Sequence, residues 1–320
     1  MIQRYDFARW MVSPRWCSGR CTTGCSAGDR YFIPFFSPTD QHILTKRDQR
    51  ELDPAANAGL PVVPQVMTCR APDFLWAAEI VADMGYTEVN LNLGCPSGTV
   101  TAKGKGAGFL AKPEELERFF DEVFAAVKLP VSVKTRLGVK EPEEFERLLD
   151  IYNRYPIACL TIHPRVQKQF YKGTVHRDWF AWAAERSRNP LCYNGDLVTV
   201  EDCTVFAVDF PAIDAVMIGR GAIADPALLR KLRGGVPTTR QELQTFTRTL
   251  YQSYQDFYGQ VGPAAQRMKE VWFFLIHLFE GGERHDKKMR RLRTPGEYEA
   301  VEASIFQELP LRDHAAGAFG

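Results

Sequence analysis

Thr87-Glu88-Val89-Asn90-Leu91-Asn92-Leu93-Gly94-Cys95-Pro96 is the stretch on which the architecture turns. Thr87–Leu93 is brief and apolar and stops at a Gly–Cys–Pro turn, so it reads as a buried strand that ends in a polar loop. After it, Pro113–Lys128 reads as a helix. Pro113 suits the first helical position, Glu114 and Glu115 favour the positive end of the macrodipole, and Leu116, Phe119, Phe120, Val123, Phe124 and Val127 form one apolar stripe. Pro130–Thr135 then returns as a strand. The same alternation extends in both directions. Tyr31–Phe36, Pro61–Met67, Ile157–His163, Pro190–Asn194 and Asp214–Ile218 read as strands, with Tyr5–Ala8 as an eighth. Helices are expected around Asp73–Met84, Glu143–Arg154, Trp179–Arg188 and Glu201–Asp209.

Eight strands alternating with helices predict an α/β chain, a (β/α)8 TIM barrel over residues 1–235. A doubly wound open sheet would concentrate its site at one switch point. Here nearly every strand closes on a polar or Gly cluster: Asn90–Cys95, Lys134–Arg136, His163–Arg165, Asn194–Asp196 and Gly219–Gly221. That distribution favours the barrel, whose sites are assembled from many strand ends. Past Gly234-Gly235 the alternation stops. Thr239–Tyr258, Pro263–Phe279 and Pro295–Leu309 carry aromatic stripes at helical spacing, so a smaller all-α domain is expected over 239–311, with a loose tail over 312–320.

The chain of 320 residues has a net charge of +1, so its overall field argues neither for nor against an anionic partner. Distribution matters more. Arg284, Lys287, Lys288, Arg290, Arg291 and Arg293 face only Asp286 in their run, which alone is as readily a solvated helix face as a polyanion grip. No apolar run approaches the roughly 20 residues of a membrane helix, so a cytoplasmic monomer with no membrane partner is expected. Eight cysteines are too few for a disulfide scaffold. Cys17, Cys21 and Cys25 have a cluster-like spacing that another explanation removes, and no metal site is expected.

The strand ends carry the chemistry. Cys95 lies past its strand rather than within it, beside a basic Gly-rich loop holding Lys103 and Lys105. An ordinary thiol, with a pKa of about 8.5, is mostly protonated at neutral pH and can give up a proton. Lys134 follows Val131-Ser132-Val133, and an ammonium inside a barrel needs an anionic partner. His163 stands two residues before Arg165, and Gln65 is an amide in an apolar strand that wants hydrogen-bond partners. Asn194-Gly195-Asp196 and Gly219-Arg220-Gly221 close the last two strands, where barrels hold phosphate on backbone N–H groups. A cationic Lys, a His, buried amides and a phosphate cradle together suit flavin mononucleotide (FMN).

In order, Asn-Leu-Gly-Cys-Pro at 92–96, Val-Lys-Thr-Arg at 133–136, Ile-His-Pro-Arg at 162–165, Asn-Gly-Asp at 194–196 and Ile-Gly-Arg-Gly at 218–221 closely resemble the FMN-dependent tRNA-dihydrouridine synthases. The resemblance runs from about Asp29 to Leu309. It implies reduction of the C5–C6 bond of particular uridines in tRNA, with NADPH reloading the flavin. By position, it makes Cys95 the proton donor to uracil C5, and puts Asn92 and Gln65 near the isoalloxazine. Lys134 and His163 would stand by the flavin's N1–O2 side and ribityl chain, with Asn194, Gly195, Asp196, Gly219 and Arg220 at its phosphate end. Lys103, Lys105, Lys287, Lys288, Arg290 and Arg291 become candidate tRNA contacts, and Arg165 a candidate tRNA or flavin contact. Competing expectations are a flavin reductase acting on a free pyrimidine and an inactive RNA-binding remnant.

One segment departs from the family. After Tyr5-Asp6-Phe7-Ala8 the family runs into Ala-Pro-(Met/Leu)-x-Gly-(Val/Ile)-Thr, whereas residues 9–28 have neither helical nor strand periodicity. Read two bases later, codons compatible with Arg9-Trp10-Met11-Val12 spell that motif, so a compensated frameshift is expected there. It would make Cys17, Cys21 and Cys25 accidental, damage the first strand and its flavin contact, and weaken FMN retention.

Overall fold

A computed structural model describes residues 2–8 and 28–316. Nine strands form one parallel sheet: β1 (Arg4–Ala8), β2 (Arg30–Phe32), β3 (Val62–Val63), β4 (Gln65–Val66), β5 (Val89–Leu93), β6 (Val131–Arg136), β7 (Leu160–His163), β8 (Leu191–Tyr193) and β9 (Ala215–Ile218). Their spatial order is β3-β2-β1-β9-β8-β7-β6-β5-β4. The two outermost strands of that order are consecutive in sequence, parted only by Pro64, which lacks the N–H a ladder needs. The ring is therefore a (β/α)8 TIM barrel in which one strand is split at its proline.

The expected first strand is intact. Arg4, Tyr5, Asp6 and Phe7 pair with Ala215, Val216, Met217 and Ile218, and Asp6, Phe7 and Ala8 pair with Arg30, Tyr31 and Phe32. Register is pinned by Asp6, fully buried, which Arg30 engages through two N–H···O bonds of 3.1 and 2.9 Å while its third reaches Glu88 at 2.7 Å. The strand damage expected from residues 9–28 does not extend to β1. The frameshift segment itself, with Cys17, Cys21 and Cys25, lies outside the described residues except for Gly28.

Helices cover the barrel where the apolar stripes place them. Pro113–Ala126 buries Leu116, Phe119, Phe120 and Val123. Three others run Ala71–Asp83, Glu144–Tyr152 and Arg177–Arg186, and Val200–Asp209 is capped by Thr199 and Asp202 reciprocally. Inside the ring, Phe32, Val63, Cys159, Cys192, Ala215 and Met217 form a separate packed layer. None of the helices described is long and apolar enough to cross a membrane.

The C-terminal region is helical: Arg240–Tyr258, Val261–Leu275, Glu283–Arg291 and Pro295–Glu308, with Thr239 and Thr294 closing capping boxes on Glu242 and Glu297. Its core takes in Ile223 and Ala224 of the short helix Arg220–Ala224, so the second core grows directly from the end of the last barrel strand. The tail is not loose over the residues described. Leu311 bridges Phe279, the Arg312 and Ala316 N–H groups donate to Leu278 and His277 carbonyls, and Ala315 is buried. Residues 317–320 lie outside the described part.

Candidate active site

The C-terminal ends of the strands surround a cavity of about 420 Å³. Gln65, Asn92, Cys95, Lys134, His163, Asn194, Gly195, Asp196, Gly219 and Arg220 all line it. Residues separated by an even number along a strand share a face, which is why Asn90 and Asn92, or Lys134 and Arg136, come together.

A chain of amides fixes the cysteine turn. Ser132 accepts from Asn90 at 2.9 Å, the Asn90 carbonyl accepts from Gln65 at 2.8 Å, and the Gln65 carbonyl accepts from Asn92 at 2.8 Å. Asn92 Oδ1 then accepts the backbone N–H of both Gly94 (3.0 Å) and Cys95 (2.9 Å). The thiol is thus positioned by its backbone, leaving the sulfur half-buried in the cavity wall. The Gly-rich loop behaves differently from a polyanion clamp. A Cβ on Gly106, at φ +56°, would stand 2.8 Å from the Cys95 carbonyl, and one on Gly108 2.6 Å from that of Thr101, so these glycines allow the loop to pack down on the turn. Lys105 is tethered to Ser37 at 2.8 Å, while Lys103 is exposed.

Positive charge dominates the floor. Burial pushes the Lys134 amine down to about 8, with Arg136 beside it adding to the effect. Among the described residues nothing pairs with Lys134, so the expected anionic partner is not a protein carboxylate. Burial holds Arg136 at about 10 although Tyr171 opposes the shift. His163 is driven well below its ordinary value by burial and by Arg136, Lys134, Arg165 and Arg220, so it is a neutral imidazole. Its Nε2 faces Arg165 Nη1 at 3.2 Å, and a guanidinium only donates. Nε2 therefore accepts, and the ring proton sits on Nδ1.

One sequence expectation, Arg165 as a tRNA contact, needs correction here. Arg165 is 1% exposed and cannot reach an RNA phosphate without leaving its partners. It donates to both carboxylate oxygens of Asp196 at 2.9 and 2.6 Å and to the Gly173 carbonyl at 2.5 Å. Asp196, which lines the cavity, also accepts from Arg220 at 2.6 Å, so its carboxylate orients two cations at that end. Gly221 has no room for a side chain: a Cβ there would fall 2.4 Å from the Leu197 carbonyl, so the loops after β8 and β9 pack directly on each other. This donor set, a cavity of ligand size with the half-buried Lys134 ammonium on its floor and close-packed glycine backbone at one end, fits a phosphorylated flavin.

Sequence reasoning missed several lining residues. Arg136 was within reach of the period-2 rule from Lys134. Its Nε donates to the Gly94 carbonyl at 2.8 Å, tying the cation row to the cysteine turn. Tyr171, under the Arg136 and Arg220 guanidinium groups at 5.4 and 5.0 Å, and Phe170 beside it lie in a loop without a periodic signal. Arg47 reaches the cavity from the unexpected helix Lys46–Glu51.

The basic run is a helix, Glu283–Arg291, that turns His285 and Met289 inward and leaves Arg284, Lys287, Lys288, Arg290 and Arg291 on its outer side. Arg290 is engaged by Asp286 and lies over the Phe273 ring at 4.8 Å. Lys287, Lys288 and Arg291 are the better placed for a polyanion.

Known proteins share this geometry's sequence. A probable tRNA-dihydrouridine synthase 1 of Synechocystis sp. is 32% identical over 246 residues, 72% of this chain and 66% of that protein. The tRNA-dihydrouridine(16) synthase of Ralstonia nicotianae is 34% identical over 62% of this chain and 63% of its own length. For tRNA-dihydrouridine synthase B of Pasteurella multocida the figures are 26%, 76% and 75%. The chain thus spans about two thirds of the length of the first two of these relatives. Among solved structures, the old yellow enzyme homologue of Zymomonas mobilis (TM-score 0.52, 13% identity, 76% of this chain and 92% of that one) shares the fold. So does a morphinone reductase in complex with tetrahydroNAD (0.53, 13%, 76% and 90%). Residues 19–309 match the family model described as dihydrouridine synthase, a span that takes in every cavity residue named above and the whole helical region, and the chain belongs to that family.

Proposed function

We propose that this protein reduces particular uridines of tRNA to 5,6-dihydrouridine, and the observation that carries the reading is a backbone-held thiol facing a cavity whose floor is cationic. FMN, when bound, supplies the reducing equivalents and is reloaded by NADPH. Gln65 and Asn92 would hold its ring edge, Lys134 and His163 its N1–O2 side and ribityl chain, and Asn194, Gly195, Gly219 and Arg220 its phosphate end. Lys134 and Arg136 favour negative charge there. Cys95 holds a proton beside the space a uracil would enter, and Asn92 keeps it at that position. A stacked uridine cannot reach this depth, so the RNA must be gripped by its backbone while the base turns out. Lys103, Lys287, Lys288 and Arg291 serve that grip. Dihydrouridine mapped in tRNA from cells with and without the gene tests the assignment: a site that vanishes with the gene supports it, and an unchanged map rejects it.

Two further results are expected. In the free protein the Lys134 amine titrates near 8, below its unfolded value, so its charged form costs stability below that pH. That cost is relieved as pH rises from about 8 towards the ordinary lysine range. An anionic ligand favours the charged amine, so FMN affinity should level off near pH 7, where the phosphate is still fully charged, and fall by up to about tenfold per unit above 8. Flavin fluorescence titrations from about pH 7 to about pH 9.5 would show it, and Lys134→Met should bind more weakly with no such slope. For the helix, Lys287→Ala, Lys288→Ala and Arg291→Ala together should weaken tRNA binding at low salt. The slope of log affinity against log salt should flatten by about 0.7–0.9 for each phosphate no longer neutralised. FMN content should not change; an unaltered slope would exclude this helix from the interface.

A further inference from the structure

We infer that Phe170 is a stacking platform for the nucleobase next to the target uridine in the RNA strand; this rests on the proposed activity. Phe170 is 46% exposed, and of the large exposed apolar side chains among the described residues it is the one that lines the catalytic cavity. Its backbone sits at φ 52°, ψ −101°, where a bulky residue is an outlier. The loop imposes that conformation from both sides. Gln169 Oε1 accepts the Val166 N–H at 2.9 Å and meets His176 Nε2 at 3.2 Å. The Gln167 and Lys168 N–H groups donate to the Gly138 and Val139 carbonyls. As a result, adjacent aromatics diverge, Tyr171 lying against Arg136 and Arg220 and Phe170 lying open to solvent.

At 46% exposure the ring recovers only part of the apolar burial that would offset this backbone strain. Glycine at 170 would relieve the backbone and remove an exposed apolar ring at once, so the ring's contribution lies in what it meets. The neighbouring side chains say what that is: Lys168 and Lys172, both exposed, stand two residues to either side of it in Lys168-Gln169-Phe170-Tyr171-Lys172. An exposed aromatic with an exposed lysine two residues to either side suits a base with its flanking phosphates. Drawing a uridine down to Cys95 strips its neighbour of one stacking partner, and a ring at the mouth restores it. Because every base has a π-face, the contact tolerates any neighbouring nucleotide.

The test uses full-length, FMN-loaded protein and the variants Phe170→Leu, Phe170→Trp and Phe170→Gly. Affinity for bulk tRNA is read by fluorescence anisotropy, KM and kcat by dihydrouridine formation, and FMN content by absorbance. Leu and Gly should weaken tRNA binding and raise KM about tenfold with kcat nearly unchanged, while Trp stays within about twofold of the parent. Gly should also raise the melting temperature, and FMN content should hold throughout. Wild-type tRNA affinity in Leu and Gly overturns the inference, as does FMN loss with tRNA affinity intact, which would make the ring a cover for the cofactor. A parent protein that binds tRNA without forming dihydrouridine would defeat the proposed activity, leaving the affinity comparison to decide Phe170.

Discussion

Cys95→Ala is expected to cut dihydrouridine formation by about 10²–10⁴-fold, the usual worth of a positioned general acid, while NADPH still reduces the flavin at close to the parent rate. The separation follows from how the residue is held. Asn92 binds the Cys95 N–H, not its sulfur, and Gly106 approaches the Cys95 carbonyl and Cβ, both of which alanine keeps. The amide chain from Ser132 to Asn92 is likewise untouched. Only the proton source leaves. Stopped-flow bleaching of the flavin by NADPH, followed by reoxidation with tRNA, resolves the two half-reactions. Equal loss in both would mean that the thiol supports the cavity and gives no proton. Serine, an oxygen acid that releases its proton less readily than a thiol, should restore little.

Much of this site was legible because strand ends obey simple rules. The β5 segment announced itself by apolar brevity and a Gly–Cys–Pro stop, and Lys134, His163 and the two glycine-rich loops fell at the ends of their strands as a barrel requires. What escaped was set by tertiary context. Pro64 splits a strand that composition reads as continuous. Arg136 shares a face with Lys134 by the period-2 rule, yet only its hydrogen bond to the Gly94 carbonyl makes it part of the cysteine turn. Tyr171 and Phe170 belong to a loop whose shape depends on Gln169 meeting His176, seven residues away, which no periodicity encodes. Residues 312–316 read as tail because they are short and irregular, yet backbone bonds to the Leu278 and His277 carbonyls hold them.

Arg165 shows where charge alone misleads, and Arg165→Met is expected to lower stability by about 3 kcal/mol, a fall in melting temperature of roughly 5–10 °C. A basic residue at a strand end next to a proposed RNA site reads as a surface contact. Its side chain is instead 2% exposed and forms a bidentate pair with Asp196, whose own side chain is 36% exposed. That exposure lets water recover part of the lost attraction, and Arg165 Nε already lacks a hydrogen-bond partner among the described residues, so the cost stays short of that for a wholly buried pair. Methionine fills the volume but leaves the Gly173 carbonyl and His163 Nε2 without a donor, and gives Asp196 to Arg220 alone. The loop from Asn194 to Leu197, with Asp196 at φ 48°, then loses its main tether, and FMN affinity should drop with it. A surface RNA contact would behave in the opposite way, with an unchanged melting temperature and a flatter salt dependence of tRNA binding. Thermal unfolding with and without FMN, set beside tRNA binding at two salt concentrations, separates the two, and an unchanged melting temperature would return Arg165 to the RNA-facing surface.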